Sequence, residues 1–237
     1  MCRMIIAIGE IEAKNLISDL VLMAQGLNTV HERNMNLGEF KHENGWGISY
    51  LDIKTNKWYT YKSLKPIYND EKVHDFINLR TKAIVLHARK ATKGEVSLEN
   101  TQPINYHSNK GDFFFVHNGT IQDISMSEKH DVQGNSDTVQ WFNKLLNKFN
   151  EKDEIFKDEI YSFDNYTGAN FFLVTPKKIF IGQSYKKFPK YYSMKMLNEN
   201  GNIIVSSEIP NTMKNRDWKD LDNGSILELD LKPKSIA

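Results

Sequence analysis

Residues 83–94, "AIVLHARKATKG", carry four apolar residues into a histidine, an arginine and a small, glycine-containing turn. Residues 113–119, "FFFVHNG", repeat the pattern, a β-prone run that ends in a polar pair and a glycine. Each stretch has a plain reading. Asn118-Gly119 is the strongest short-range hairpin signal, and Arg89 beside a turn is an ordinary solvated side chain. Each also has a chemical reading. A guanidinium at a strand end offers a planar two-pronged fork for a carboxylate. An Asn side-chain amide and the next backbone N–H can converge on one oxygen, and a glycine lets that oxygen come close. Taken singly, neither stretch goes beyond the plain reading.

Outward from these stretches the chain alternates strands and helices. Met4 to Ile8 is apolar and β-prone, as in a buried strand, and Ile11, Leu16, Leu20, Val21, Leu22 and Leu27 follow at helical spacing. Residues 28–44 are polar and without period and read as a loop. Trp46–Asp52 and Lys57–Tyr61 read as strands joined at Lys54-Thr55-Asn56. Glu71 to Arg80 reads as a short helix, and Ala83–His87 and Asp112–His117 as strands. Asp137 to Asn150 is predicted helical from Val139, Phe142, Leu145, Leu146 and Phe149, with Ser136 or Asp137 as its cap. Ala169–Thr175, Lys178–Gly182, Asn202–Ser206 and Ser225–Leu229 read as strands separated by Pro, Gly and Asn turns. Strands dominate both ends with helices between them, and no repeat or linker interrupts them. An α+β layered sandwich in a single domain is expected, rather than regular βαβ alternation.

The composition narrows the function. Lys and Arg (31) nearly cancel Asp and Glu (30) over 237 residues, which removes the electrostatic case for nucleic acid or an anionic membrane. One cysteine makes no internal disulfide. No apolar run is long enough for a membrane span, and the start lacks a signal-type apolar region, so a cytoplasmic protein is expected. His42, His87 and His117 stand alone without metal-ligand spacing, and the chain has no GxSxG, Walker A or GxGxxG motif. No metal and no organic cofactor is expected.

Two further positions have a double reading. Asp137 at a helix start is a cap, or a carboxylate for a substrate ammonium. An Arg and an Asp together, one for an α-carboxylate and one for an α-amine, are what recognition of a free amino acid head group requires. Cys2, the single cysteine, is a small buried hydrophobe, or, once Met1 is removed, an N-terminal residue that carries both a thiol and a free amine.

The order is more specific than any part. Cys2, then His42-Glu43-Asn44-Gly45-Trp46-Gly47, then "HARKATKGEVSLENTQP" (87–103), then "FFFVHNGTIQD" (113–123), then Ser136-Asp137 resembles the class II glutamine amidotransferases. These are N-terminal-nucleophile hydrolases with a catalytic amino-terminal cysteine, and the likeness is to their stand-alone members. "IIVSSE" (203–208) and "DWKDLDNGSILEL" (217–229) are similar to the family's later strands. The resemblance implies a four-layer αββα sandwich, formed by residues 2–237 after loss of Met1. It implies Cys2 as nucleophile, Asn118 and Gly119 as oxyanion hole, and Arg89, Thr92 and Asp137 as substrate-binding residues. It further implies hydrolysis of the side-chain amide of glutamine through a γ-glutamyl thioester, with ammonia released to a separate synthase subunit. Lys90, Lys93 and Gln102 depart from the Trp, His and His common in synthase-fused members, and these neighbours shape the glutamine pocket. A γ-glutamyl amide hydrolase acting on a modified substrate, and a non-catalytic module retaining the fold, are the alternatives.

Overall fold

The computed structural model describes residues 2–37, 39–125, 130, 132–149 and 160–231. Met1 and the predicted helix end at Asn150 lie outside them.

The chain begins in strand β1 (Cys2–Glu12), longer at both ends than the apolar run Met4–Ile8. Alternate side chains of β1 meet two different layers: Ile5 and Ala7 pack with Leu16 and Leu20 of helix α1 (Ala13–Gln25), while Met4 and Ile6 pack with Val85, Phe114 and Phe172. Burial on both faces explains why the run lacks polar alternation. Helix α1 ends at Gly26, whose φ of 74° closes the last turn, with the Leu27 N–H reaching back to the Leu22 carbonyl at 3.0 Å.

The segment expected to be a loop holds a short helix, α2 (Glu32–Leu37), too brief to show a helical period. Strands β2 (Trp46–Asp52) and β3 (Trp58–Ser63) form the expected hairpin. The helix expected over 71–80 is a correction. One 3-10 turn, Glu71–Phe76, occupies this part, preceded by another at Ile67–Asn69, and Arg80 already belongs to strand β4 (Arg80–Arg89). The Asp70 carboxylate caps the second turn and also accepts the Trp46 indole N–H at 2.9 Å.

Strands β5 (Ile104–Ser108) and β6 (Gly111–Ile121) follow, then helix α3 (Asp137–Lys148). The Ser136 side chain, rather than Asp137, caps α3 by accepting from Val139 N. The last third contains β7 (Tyr166–Val174), β8 (Lys178–Gly182), the single-turn helix α4 (Pro189–Tyr192), β9 (Lys195–Glu199), β10 (Asn202–Ser206), β11 (Lys219–Asp220) and β12 (Ile226–Asp230).

Two antiparallel sheets result. One has the order β11-β9-β10-β1-β4-β2-β3 and the other β12-β8-β7-β6-β5. Between them lie Met4, Ile6, Val85, Phe114, Val116, Phe172 and Ile181. Helix α1 covers the outer face of the first sheet, and α3 covers the second through Trp141, Phe142 and Leu145 on Phe115 and Phe171. The architecture is an α+β sandwich of four layers, αββα. β1 and β6 lie in different sheets, and the inter-sheet face that buries Met4 and Val116 also carries Cys2 at the start of β1 and Asn118 within β6. No helix among the described residues is long and apolar enough to cross a membrane.

Candidate active site

Cys2 and Arg89 are register partners in β1 and β4, so the sheet sets thiol and guanidinium side by side on one face. Cys2 is 4 % exposed. Its backbone nitrogen lies 2.7 Å from Asn118 Oδ1. That contact spans the two sheets and fixes which way the amide faces, because only an oxygen accepts from N–H. Asn118 Nδ2 is then left buried and without a partner among the described residues.

Gly119 follows Asn118 on β6 opposite Ala169. A Cβ built there would sit 1.6 Å from the Gly168 carbonyl oxygen, closer than any side chain permits. The Asn-Gly pair is therefore not a hairpin turn. It lies inside β6, and the glycine serves close strand approach. The residue before it is also clamped. His117 Nε2 faces the Gly168 carbonyl at 3.3 Å and so carries the proton. Its Nδ1 then accepts from Thr138 Oγ1 at 3.2 Å, and Thr138 in turn accepts from Gln102 Nε2 at 3.1 Å. Gln102 Oε1 closes the ring by accepting the His117 backbone N–H at 2.6 Å. Burial holds the His117 imidazole neutral, its pKa lowered to about 4. Gln102, one of the departures from the family pattern, thus keeps β6 and the start of α3 in fixed register.

Arg89 is 3 % exposed, and burial lowers its pKa while Cys2 and Asp137 act the other way. Its Nη1 donates to the Glu95 carbonyl at 2.9 Å and its Nη2 to the Lys93 carbonyl at 3.3 Å, leaving further N–H groups of its five. Gly94, with φ of 75°, lets this turn pass against Ser136, whose Cα would be 2.8 Å from any added Cβ. Asp137 is the first residue of α3, where the helix dipole favours a carboxylate. Its Oδ2 accepts from Ile121 N at 2.8 Å and its Oδ1 from Thr138 N at 3.0 Å, which orients both oxygens and leaves acceptor capacity on each. Thr92 Oγ1 meets Thr120 Oγ1 at 2.8 Å.

Cys2, Arg89, Thr92, Gly119 and Asp137 line one narrow cleft, with Gln102, His117 and Thr138 in its wall. Asn118 touches the same place through Cys2. The six residues singled out from the sequence, spread over positions 2 to 137, thus come to one point. Lys90 and Lys93 stand at the cleft as well. Lys90 Nζ donates to the Lys41 carbonyl at 2.9 Å and lies 4.8 Å over the Phe40 ring, and Lys93 Nζ donates to the Ile121 carbonyl at 2.8 Å. Both ammonium groups are directed onto main-chain oxygens. No group of three or more His, Cys, Asp or Glu able to hold a metal ion occurs among the described residues.

Sequence reasoning missed the residues packed behind Cys2. Tyr191 Oη donates to the Cys2 carbonyl at 3.1 Å and meets His42 Nε2 at 3.0 Å. "KYYS" (190–193) matches no motif, and its helix is one turn long, so nothing local marks it. His42 stands inside a quoted motif, but its partner is 149 residues away.

A family model described as "Glutamine amidotransferases class-II" matches residues 13–165. This chain belongs to the class II glutamine amidotransferases. The matched span includes Arg89, Thr92, Asn118, Gly119 and Asp137, and begins after Cys2. The Escherichia coli protein YafJ, named as a glutamine amidotransferase, is 29 % identical over 120 residues, covering 48 % of this chain and 46 % of YafJ. The chain thus spans about half the length of this relative. Among solved structures, the phosphoribosylpyrophosphate amidotransferase of Bacillus subtilis superposes with a TM-score of 0.66 at 18 % identity, covering 97 % of this chain and 47 % of that one. A glutamine aminotransferase class-II domain protein from Silicibacter pomeroyi gives 0.61 at 14 % identity, covering 96 % and 94 %. At such identities the likeness is one of fold, the N-terminal-nucleophile sandwich of this family.

Proposed function

We propose that this chain, as one domain over residues 2–237, hydrolyses the side-chain amide of glutamine with Cys2 as nucleophile and releases ammonia to a separate acceptor enzyme. The observation that carries the reading is the double use of Asn118. Its Oδ1 holds Cys2 N at 2.7 Å, and its Nδ2, bonded to the same carbon, is a buried donor without a partner among the described residues. A buried N–H left unpaired costs about 1–3 kcal/mol, and that loss is recovered when an oxyanion forms beside the thiol.

In this scheme Met1 is removed and the freed α-amine of Cys2, with an ordinary pKa of about 7.7–8.0, takes the thiol proton through a water. The sulfur attacks the amide carbon, and Asn118 Nδ2 and the Gly119 N–H receive the developing negative oxygen. The proton then passes to the departing nitrogen, the C–N bond breaks, and ammonia leaves a γ-glutamyl thioester. Water attacks that thioester, the C–S bond breaks, and glutamate and the thiol are regenerated. The remaining N–H groups of Arg89 engage the α-carboxylate, Asp137 the α-ammonium, and Thr92 the same head group. These contacts fix where the amide lies relative to sulfur.

The test pairs intact mass with chemistry. Purified protein is expected to lack Met1 and to take up one equivalent of the glutamine-analogue electrophile 6-diazo-5-oxo-norleucine on Cys2. Cys2→Ala is expected to take up none and to release no ammonia from glutamine. Ammonia release that survives Cys2→Ala overturns the proposal. Turnover of a γ-glutamyl amide with no turnover of glutamine would move the substrate assignment and leave the nucleophile in place.

A further inference from the structure

In an antiparallel pair, residues opposite each other alternate between exchanging both backbone hydrogen bonds and exchanging none. Cys2 opposite Arg89 is of the second kind. The Arg89 N–H donates to the Gly45 carbonyl at 2.8 Å and its carbonyl accepts from Asn44 N at 2.9 Å, so the Arg89 main chain serves the β2 side. On its other flank β1 is paired to β10 only from Ile5, opposite Ser206. Cys2 therefore begins the strand without a strand partner for its own N–H and carbonyl. Two side chains supply what the sheet does not: Asn118 at the nitrogen, and Tyr191 at the carbonyl oxygen.

We propose that Tyr191 and His42 are positioning residues for Cys2, a relay that holds the nucleophile's main chain by its carbonyl so that the thiol meets the oxyanion donors. This rests on the reading of Cys2 as the nucleophile. The direction of each bond follows from the atoms. A carbonyl only accepts, so the single phenolic hydrogen of Tyr191 goes to Cys2 O at 3.1 Å. The Tyr191 oxygen then accepts at its other contact, and His42 Nε2, 3.0 Å away, carries the ring proton. Both groups stay in these states. Burial raises the Tyr191 phenol well above its usual range, and it lowers the His42 imidazole well below its own, with Arg3 adding to the effect.

The phenol cannot swing away. The Arg3 guanidinium stacks 4.0 Å above the ring and its Nη1 donates to the Tyr191 carbonyl at 3.1 Å, while its Nη2 pairs with Glu208 at 2.5 Å. His31 and Phe40 meet the ring edge-on with centroids at 4.6 and 5.5 Å. The Glu32 carboxylate accepts the N–H groups of Lys190 and Tyr191, which pins helix α4 to α2. Tyr191 is 0 % and His42 1 % exposed, and neither lines the substrate cleft. Their loss is therefore expected to act on the rate of attack and not on substrate binding.

The test uses the full chain, with kcat and KM for glutamine, the rate of Cys2 alkylation by 6-diazo-5-oxo-norleucine, and a thermal melt on each variant. Tyr191→Phe keeps the ring and removes the hydroxyl. The expected result is a fall of about 10- to 100-fold in both kcat and alkylation rate with KM within about twofold, the scale of a small misplacement of a reacting group. His42→Gln keeps an N–H donor near the Nε2 position and is expected to retain most of the rate, while His42→Leu behaves like Tyr191→Phe. Should Tyr191→Phe fail to fold, the comparison of Gln with Leu at position 42 decides. Wild-type rates in a folded Tyr191→Phe, or equal rates in the two His42 variants, overturn the relay and leave Cys2 in its role. Wild-type protein that is not alkylated at Cys2 overturns the nucleophile reading, and the relay with it.

Discussion

In the proposed mechanism Asn118 has two tasks, holding Cys2 N through Oδ1 and receiving the oxyanion through Nδ2, and substitutions can separate them. Asn118→Asp keeps an oxygen for Cys2 N, removes the Nδ2 donor and puts a negative charge where negative charge must develop. Losing one oxyanion donor costs about 10²–10³ in kcat, and the added charge makes that the smaller part of the effect. We expect Asn118→Asp to lower kcat by at least that factor. KM for glutamine should stay within a few-fold, because Arg89 and Asp137 are untouched. Steady-state kinetics with a melting curve checks this, and a variant that keeps wild-type kcat would remove Asn118 from the oxyanion hole. At this scale much was legible. Arg89, Asn118 and Asp137 were marked by residue type and position at strand or helix ends, and the structure brings them to one cleft. Tyr191 was not, since a tyrosine in a four-residue helix has no local signature and its role comes from the Cys2 carbonyl 189 residues away.

At the scale of elements, β6 and β7 are held at a distance set by Gly119. A methyl group there would overlap the Gly168 oxygen at 1.6 Å, and the neighbouring contact is His117 Nε2 at 2.6 Å. Neither a backbone carbonyl in a central strand nor a clamped imidazole can retreat. Gly119→Ala is expected to break the β6–β7 pairing, destabilising by more than the ~1–3 kcal/mol of ordinary overpacking. Soluble yield and near-UV circular dichroism should both collapse. A folded, active Gly119→Ala would mean that the two strands are not in this register. The elements that sequence patterns found are those with a strong periodic signal, such as β1, β4, β6 and α3. Those missed, α2, β5, α4, β9 and β11, are short. The residues of β5, "INYHS", bury only Ile104 fully and lie at a sheet edge, so they carry no run of apolar residues to announce a strand. The 71–80 stretch looked helical because its apolar residues recur every three or four positions. Tight turns satisfy nearly the same spacing, and the Asp70 cap together with the demand for Arg80 in β4 decided between them.

At the scale of the molecule, four histidines are buried in neutral form around the site. Burial lowers His117 to about 4 and His31 to about 3, and lowers His42 and His87 well below the ordinary value of 6.5. A histidine whose folded pKa is depressed takes up a proton more readily in the unfolded chain. Its contribution to stability is present above pH 6.5 and drains away as pH falls toward the folded value, at most about 1.4 kcal/mol per pH unit for each group. The urea midpoint should therefore fall clearly between pH 7.5 and pH 5. Equal midpoints at the two pH values would show that these imidazoles are not desolvated.

The sequence by itself determined the chemistry at each position and the local run of most strands and helices, because both depend on residue type and on periodicity within a dozen residues. It also determined the family, through the order of its short motifs. The tertiary structure decided that Asn-Gly is a close strand approach rather than a turn, and that Cys2, whose own N–H and carbonyl have no strand hydrogen-bond partner, is held by Asn118 and Tyr191. Those facts rest on contacts between residues 49 to 189 positions apart, Gly119 with Gly168 and Tyr191 with Cys2 among them. No local pattern encodes such contacts. They exist only once two sheets pack and the hydrophobic core between them sets which strand ends meet.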